Sequence, residues 1–161
     1  MRKLTLILLV SLVSFAGKSQ KFFGFSDSTF AVGQIHQFKS FHYAICGSHT
    51  ILVDSLNIPQ LDSLIEWMEK HENIVIEVGV HTDSRGSDSM NLKLTEWRAE
   101  EARKYMVQRG VPESRIKAKG YGETRLIISE EEINKYKNTD KRMYEMMHQK
   151  NRRTELTIIG I

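Results

Sequence analysis

One cysteine, Cys46, and two prolines are all that 161 residues contain of the types that most sharply constrain a chain covalently. A lone cysteine excludes an internal disulfide framework, although a chain bound for an oxidising compartment had that option. Its position, far beyond the first residues, also excludes the lipid-modified cysteine of a cleavage site, and Cys46 reads as a small buried apolar group. Paired cysteines and a His-x-x-x-His spacing are both missing. The six histidines, His36, His42 and His49 among them, lack compact ligand spacing, so neither a metal nor another cofactor is expected. Around Asp83 the Asp/Asn alternation and closing Glu of a calcium loop are missing too. No internal repeat or low-complexity block occurs.

A basic excess is nearly missing as well. The formal charge of +3 includes Arg2, Lys3 and Lys18, which lie in or beside an apparent targeting segment. Its removal leaves a chain close to neutral, with no basic stripe to argue for nucleic acid. The one long apolar run, Leu4 to Ala16, follows Met1-Arg2-Lys3 and precedes Gly17-Lys18-Ser19-Gln20. As a helix it would span roughly 20 Å, against about 30 Å of hydrocarbon. Residues 1–19 therefore read as a cleaved secretory signal, leaving no transmembrane span in the mature chain.

The whole chain, 40% hydrophobic and 27% charged, has the composition of a soluble globular protein. Residues 20–32 are aromatic and irregular around Phe22-Phe23-Gly24-Phe25, a lead-in to a domain over 33–161. Gly33 to about Ala44 has strand character, and Thr50-Ile51-Leu52-Val53 forms a short extended piece. Ile58, Leu61, Leu64, Ile65 and Met68 recur at helical spacing, with Trp67 off that stripe at an edge or exposed. Ile74 to His81 alternates as a strand. A second helix runs from about Ser89 to Arg109, with Leu94, Ala99, Ala102 and Met106 toward the core, and Gly110 and Pro112 stop it. A strand near Arg115 to Gly120, a polar loop-plus-helix insertion over about 127–150, and a last strand from Thr154 complete the chain. Gly120 and Gly122 read as backbone-shaping positions.

The most informative stretch is His81-Thr82-Asp83-Ser84-Arg85-Gly86 and the helix after it. Asn91 and Arg98, seven residues apart, lie on nearly the same helical face, and Asp83 sits at the mouth of the loop feeding that face. A carboxylate, an amide and a guanidinium facing one small volume suit a ligand with an ammonium and a carboxylate close together. His81, Asp83 and Ser84 do not make a catalytic triad: in an extended segment His81 and Asp83 point one way and Ser84 another.

His81-Thr82-Asp83, Gly86, Asn91-x-x-Leu94-Thr95-x-x-Arg98-Ala99, Gly120-Tyr121-Gly122-Glu123 and Asn151-Arg152-Arg153, in that order, resemble the OmpA-like peptidoglycan-binding domain. The resemblance implies an α+β two-layer sandwich, a mixed β-sheet with helices packed on one face, and no enzymatic activity. It implies that Asp83 accepts the ammonium and Arg98 clamps the carboxylate of meso-diaminopimelate in the peptidoglycan stem peptide. Thr82 joins them at the ligand, Asn91 and Thr95 either hold the loop or touch the peptide, and Arg152 and Arg153 serve the ligand directly or in support. The implied setting is the periplasm, at the cell wall or outer membrane. A protein partner in the envelope is the alternative function. The chain departs from the pattern at Val80, where a glycine is usual, with Gly79 one place earlier, and at Thr95, where serine is usual and the hydroxyl is kept. The residues before Gly33 are too few for an outer-membrane barrel, and Leu4 to Ala16 offers neither the length nor the acid of a motor subunit.

Overall fold

The computed structural model describes residues 21–38 and 58–161. The expected signal, Cys46, the extended piece at Thr50 and the continuation of the first strand toward Ala44 lie outside the described residues. Among the described residues, four strands and four α-helices, with a short 3-10 turn at Glu113–Arg115 before β3, follow in the order β1 (Ile35–Gln37), α1 (Ile58–Lys70), β2 (Val75–His81), α2 (Asp88–Gln108), β3 (Ile116–Gly120), α3 (Glu130–Asn134), α4 (Lys141–Asn151) and β4 (Arg153–Gly160).

The sheet order is β1-β4-β2-β3. β2 and β3 run parallel through the right-sized crossover that α2 supplies, and the last strand, β4, inserts antiparallel between β1 and β2. Register follows the hydrophobic alternation. Ile76, Val78, Leu156 and Ile158 are buried on the helix side, paired across the sheet as Val78 with Leu156 and Ile76 with Ile158. The intervening Glu77, Gly79, Arg153, Glu155 and Thr157 occupy the other face, so a one-residue slip would put charges into the core. Leu61, Leu64, Ile65 and Met68 of α1 and Ala102 and Met106 of α2 complete that core. This is the expected two-layer α+β sandwich with a mixed sheet.

Three details differ from the sequence reading. Trp67 is neither exposed nor at an open edge: it is 3% exposed, stacked on Phe23 at 5.3 Å and met edge-on by Phe30 at 5.1 Å. Its cover is the lead-in, which two backbone bonds tie to β1, Phe23 N–H to the Ile35 carbonyl at 3.0 Å and Ile35 N–H to that of Lys21 at 2.9 Å. Helical periodicity registers which face of α1 is apolar but not that a distant segment folds back over its flank. Leu94 is only half-buried, whereas Thr95 beside it is fully buried. The inward face of α2 runs Asn91, Thr95, Ala99, Ala102, Met106, because its first turns pack on a polar loop rather than on apolar sheet. The insertion over 127–150 holds two helices, capped by Ser129 and Asp140, and buries Ile133, His148 and Asn151.

Candidate ligand site at the β2–α2 loop

Past the last β2 residue the backbone stays paired with the segment after β3. Tyr121 N–H donates to the Val80 carbonyl at 2.9 Å and Thr82 N–H to that of Gly122 at 2.9 Å. The loop then turns at Gly86, whose φ of +114° is left-handed territory, and enters α2 with the Ser87 side chain accepting from Met90 N–H.

Asn91 fastens this turn. Its side-chain nitrogen donates to the carbonyls of Asp83 at 3.3 Å and Arg85 at 3.2 Å and to the Glu123 carboxylate at 2.6 Å. The Thr95 hydroxyl donates to the Asn91 carbonyl at 2.9 Å and the Leu92 carbonyl at 2.8 Å, and accepts from Gly122 N–H at 2.9 Å. Both residues hold the loop. Replacing Asn91 with Ala leaves those acceptors without their amide, and a loss of about 1–3 kcal/mol is expected. Urea unfolding at neutral pH checks it, with faster amide exchange in the loop as the accompanying sign.

Asp83 is 4% exposed. One oxygen accepts from Arg85 N–H at 3.0 Å and Nε at 3.3 Å; the other accepts from Arg85 Nε at 3.3 Å and Nη2 at 2.9 Å, and from Arg152 Nη1. Burial opposes ionisation here. The hydrogen bonds from Arg85 and Arg152 outweigh it and hold the carboxyl below the ordinary carboxylate range. His148 of α4, 2% exposed, places Nδ1 3.9 Å from the same carboxylate. Burial, then the Arg85 charge, pushes the His148 pKa down, so the ring is neutral at physiological pH. Arg85 also reaches α4, with Nη1 3.1 Å from each Glu145 carboxylate oxygen.

Of the residues singled out in the sequence, Asp83, Asn91, Thr95 and Arg152 come together at this loop. Thr82 is buried beside them, and its hydroxyl has no hydrogen-bond partner among the described residues. Arg98 lies half-buried on α2, two turns beyond Asn91. Arg153 goes elsewhere: it projects on the helix-free sheet face, where Nε donates to Glu155 at 2.6 Å and Nη1 to the Asn151 carbonyl at 3.2 Å. Neighbours in sequence on an extended chain point to opposite sides, which separates Arg152 from Arg153. His81 belongs to that second network. Its ring stacks on Tyr121 at 4.9 Å and places Nε2 3.4 Å from Glu155, so its acidic neighbour is neither Asp83 nor part of a triad.

The structure adds Arg85, Glu123, Glu145 and His148 to the site. Arg85 stood within the motif stretch, and its role could have been suspected from its place beside Asp83. Glu145 and His148 carried no such signal, because only the packing of α4 brings them over a loop some sixty residues earlier.

Fold and site define an α+β domain whose polar centre is the loop between a central strand and the following helix. The chain belongs to the OmpA family, whose model matches residues 50–142. It is 40% identical over 62 residues to the peptidoglycan-associated lipoprotein of Rhizobium meliloti, a match covering 38% of this chain and 35% of that one. It is 33% identical over 100 residues to a photosystem I P700 chlorophyll a apoprotein A2 of Gloeobacter violaceus, covering 62% of this chain and 11% of that one. The matched stretches span between 11% and 36% of the length of these and the other curated relatives. Among solved structures, the cell wall anchor of the T6SS from Pseudomonas aeruginosa superposes with a TM-score of 0.51 at 21% identity, over 68% of this chain and 70% of that one, a likeness of fold.

Proposed function

We propose that this domain binds peptidoglycan noncovalently through the diaminopimelate of the stem peptide and thereby tethers the chain to the cell wall in the periplasm. The observation that supports the reading most is Asp83, kept ionised just past β2 by hydrogen bonds from Arg85 and Arg152, on a domain whose relatives include one named for its association with peptidoglycan. In this reading Asp83 takes the ligand's ammonium, Arg98 takes its carboxylate with a planar two-pronged donor set, and the Thr82 hydroxyl and Arg152 line the approach. Asn91 and Thr95 set the loop's shape, and Arg153 supports the sheet from the opposite face. No bond is made or broken. No helix among the described residues is long and apolar enough to cross a membrane, and a peripheral tether needs none.

One ammonium and one carboxylate held at a partly wet site correspond to a dissociation constant of roughly micromolar to millimolar once association entropy is subtracted. Retention on the wall then comes from rebinding along a polymer of repeated sites. Sedimentation with purified sacculi tests this. The wild-type chain is expected in the pellet, Asp83→Ala and Arg98→Ala mostly in the supernatant, and no soluble muropeptides are released. Equal retention of both variants would overturn the reading and leave attachment through a protein partner.

A further inference from the structure

We infer that Arg85 is an internal competitor for the Asp83 site, a guanidinium standing where the ligand's ammonium must go, and that Glu145 on α4 is the acceptor that receives it when the ligand enters. The inference rests on the proposed binding of an ammonium by Asp83 and adds what that binding has to displace.

A carboxylate has about four lone-pair directions. Those of Asp83 meet three Arg85 groups, the backbone N–H, Nε and Nη2, and also Nη1 of Arg152. No acceptor capacity is left for a third cation, so a ligand ammonium reaches Asp83 only by replacing a guanidinium. The two arginines differ in what they would fall back on. The second prong of Arg152 is bonded to the neutral amide oxygen of Gln149. Arg85 has a second carboxylate already in place, with Nη1 3.1 Å from both Glu145 oxygens. Its side chain is 43% exposed and that of Glu145 48%, against 6% for Asp83, so this pair sits at the mouth while the contested carboxylate lies within. Swinging out, Arg85 keeps a charged partner and regains water, and the backbone N–H of Arg85 stays on Asp83 throughout. Arg85 is therefore the group that yields.

Two consequences follow for the ligand. It has to bring its own positive charge, because a neutral group in place of the Arg85 guanidinium would leave the buried carboxylate with only the Arg152 guanidinium as a cationic partner. Binding is also weakened by the fraction of time Arg85 holds the site: where the closed arrangement is populated about 90% of the time, apparent affinity falls about tenfold.

Calorimetric titration of the wild-type chain, Arg85→Gln, Arg152→Gln and Asp83→Asn with free meso-diaminopimelate tests this, and thermal unfolding of each variant confirms that it is folded. Arg85→Gln is expected to bind about tenfold more tightly than wild type, Arg152→Gln no more tightly, and Asp83→Asn not measurably. N-acetylation of the ligand's amines is expected to abolish binding to wild type, Arg85→Gln and Arg152→Gln alike. Weaker or unchanged binding by Arg85→Gln, with Asp83→Asn still inactive, overturns the inference and makes Arg85 part of the ligand's clamp or a bystander. Binding that survives in Asp83→Asn overturns instead the underlying assignment of Asp83 to the ammonium.

Discussion

Gly120→Ala is expected to lower stability by more than about 4 kcal/mol and in practice to leave little folded protein. A methyl group on Gly120 would lie 2.2 Å from the Glu96 backbone nitrogen and 2.6 Å from its Cα. The obstruction is the main chain of α2, which cannot rotate aside as a side-chain tip can, so helix and strand must separate. Separation at this point also breaks the bond from Gly122 N–H to Thr95, which fixes α2 against the end of β3, and with it the support of the Asp83 loop. Overpacking inside a well-filled core ordinarily costs about 1–3 kcal/mol, and a backbone-to-backbone clash exceeds that range because nothing soft is available to yield. Gly110→Ala is the control. Its φ is +100° but an added Cβ meets nothing within 4 Å, so only the left-handed backbone penalty of about 1–2 kcal/mol applies. Urea unfolding of the two variants side by side measures the difference, and equal losses would show that α2 and β3 can part cheaply.

Removing Glu155 is the second large effect. Its carboxylate accepts from Arg153 Nε at 2.6 Å and lies 3.4 Å from His81, with side-chain exposures of 13%, 7% and 1% for Glu155, Arg153 and His81. Glu155→Ala leaves the Arg153 guanidinium buried with only a carbonyl for company, and a loss of about 3–5 kcal/mol is expected at pH 7. Burial alone would raise the Glu155 pKa. The neighbouring His81 and Arg153 reverse this and lower it from 4.5 to about 2. The folded chain therefore binds this proton less readily than the unfolded one. The stabilisation is complete above about pH 4.5 and disappears as the pH falls toward 2, amounting to something on the order of 3 kcal/mol. Asp83, also depressed, loses its share in the same acid direction. Glu155→Ala should accordingly show a shallower decline of stability over this window than wild type, the remainder coming from Asp83 and Glu100, whose pKa values are also lowered. Denaturant melts at a series of pH values test it, and parallel curves for the two proteins would refute the assignment.

These effects mark where the sequence could and could not be read. The alternation of Ile74 to His81 and the helical spacing from Ile58 to Met68 were legible because burial of one face repeats at the period of the backbone itself. The loop between β2 and α2 was legible in part, since Gly86 turns its own backbone and Asn91 bonds the nearby carbonyls of Asp83 and Arg85, while its bond to Glu123 was not. Trp67 was not, since the aromatic residues that cover it come from a segment some forty positions earlier. The sequence places Leu94 in the core wrongly because it carries no sign that the start of α2 faces a hydrogen-bonded loop and its middle an apolar sheet.

By itself, then, the chain determined its family, its α+β layering and the position of Asp83 at the end of a central strand. Those properties follow from local periodicity and from motif residues spaced along one backbone. Only the tertiary structure decided which groups the Asp83 carboxylate meets, that Arg152 joins it while Arg153 pairs with Glu155 on the far side of the sheet, and that α4 sets Glu145 and His148 over the site. Those contacts join elements distant in sequence. They depend on the pairing of β4 between β1 and β2, which places the helix before it across the loop, and no single segment encodes that pairing.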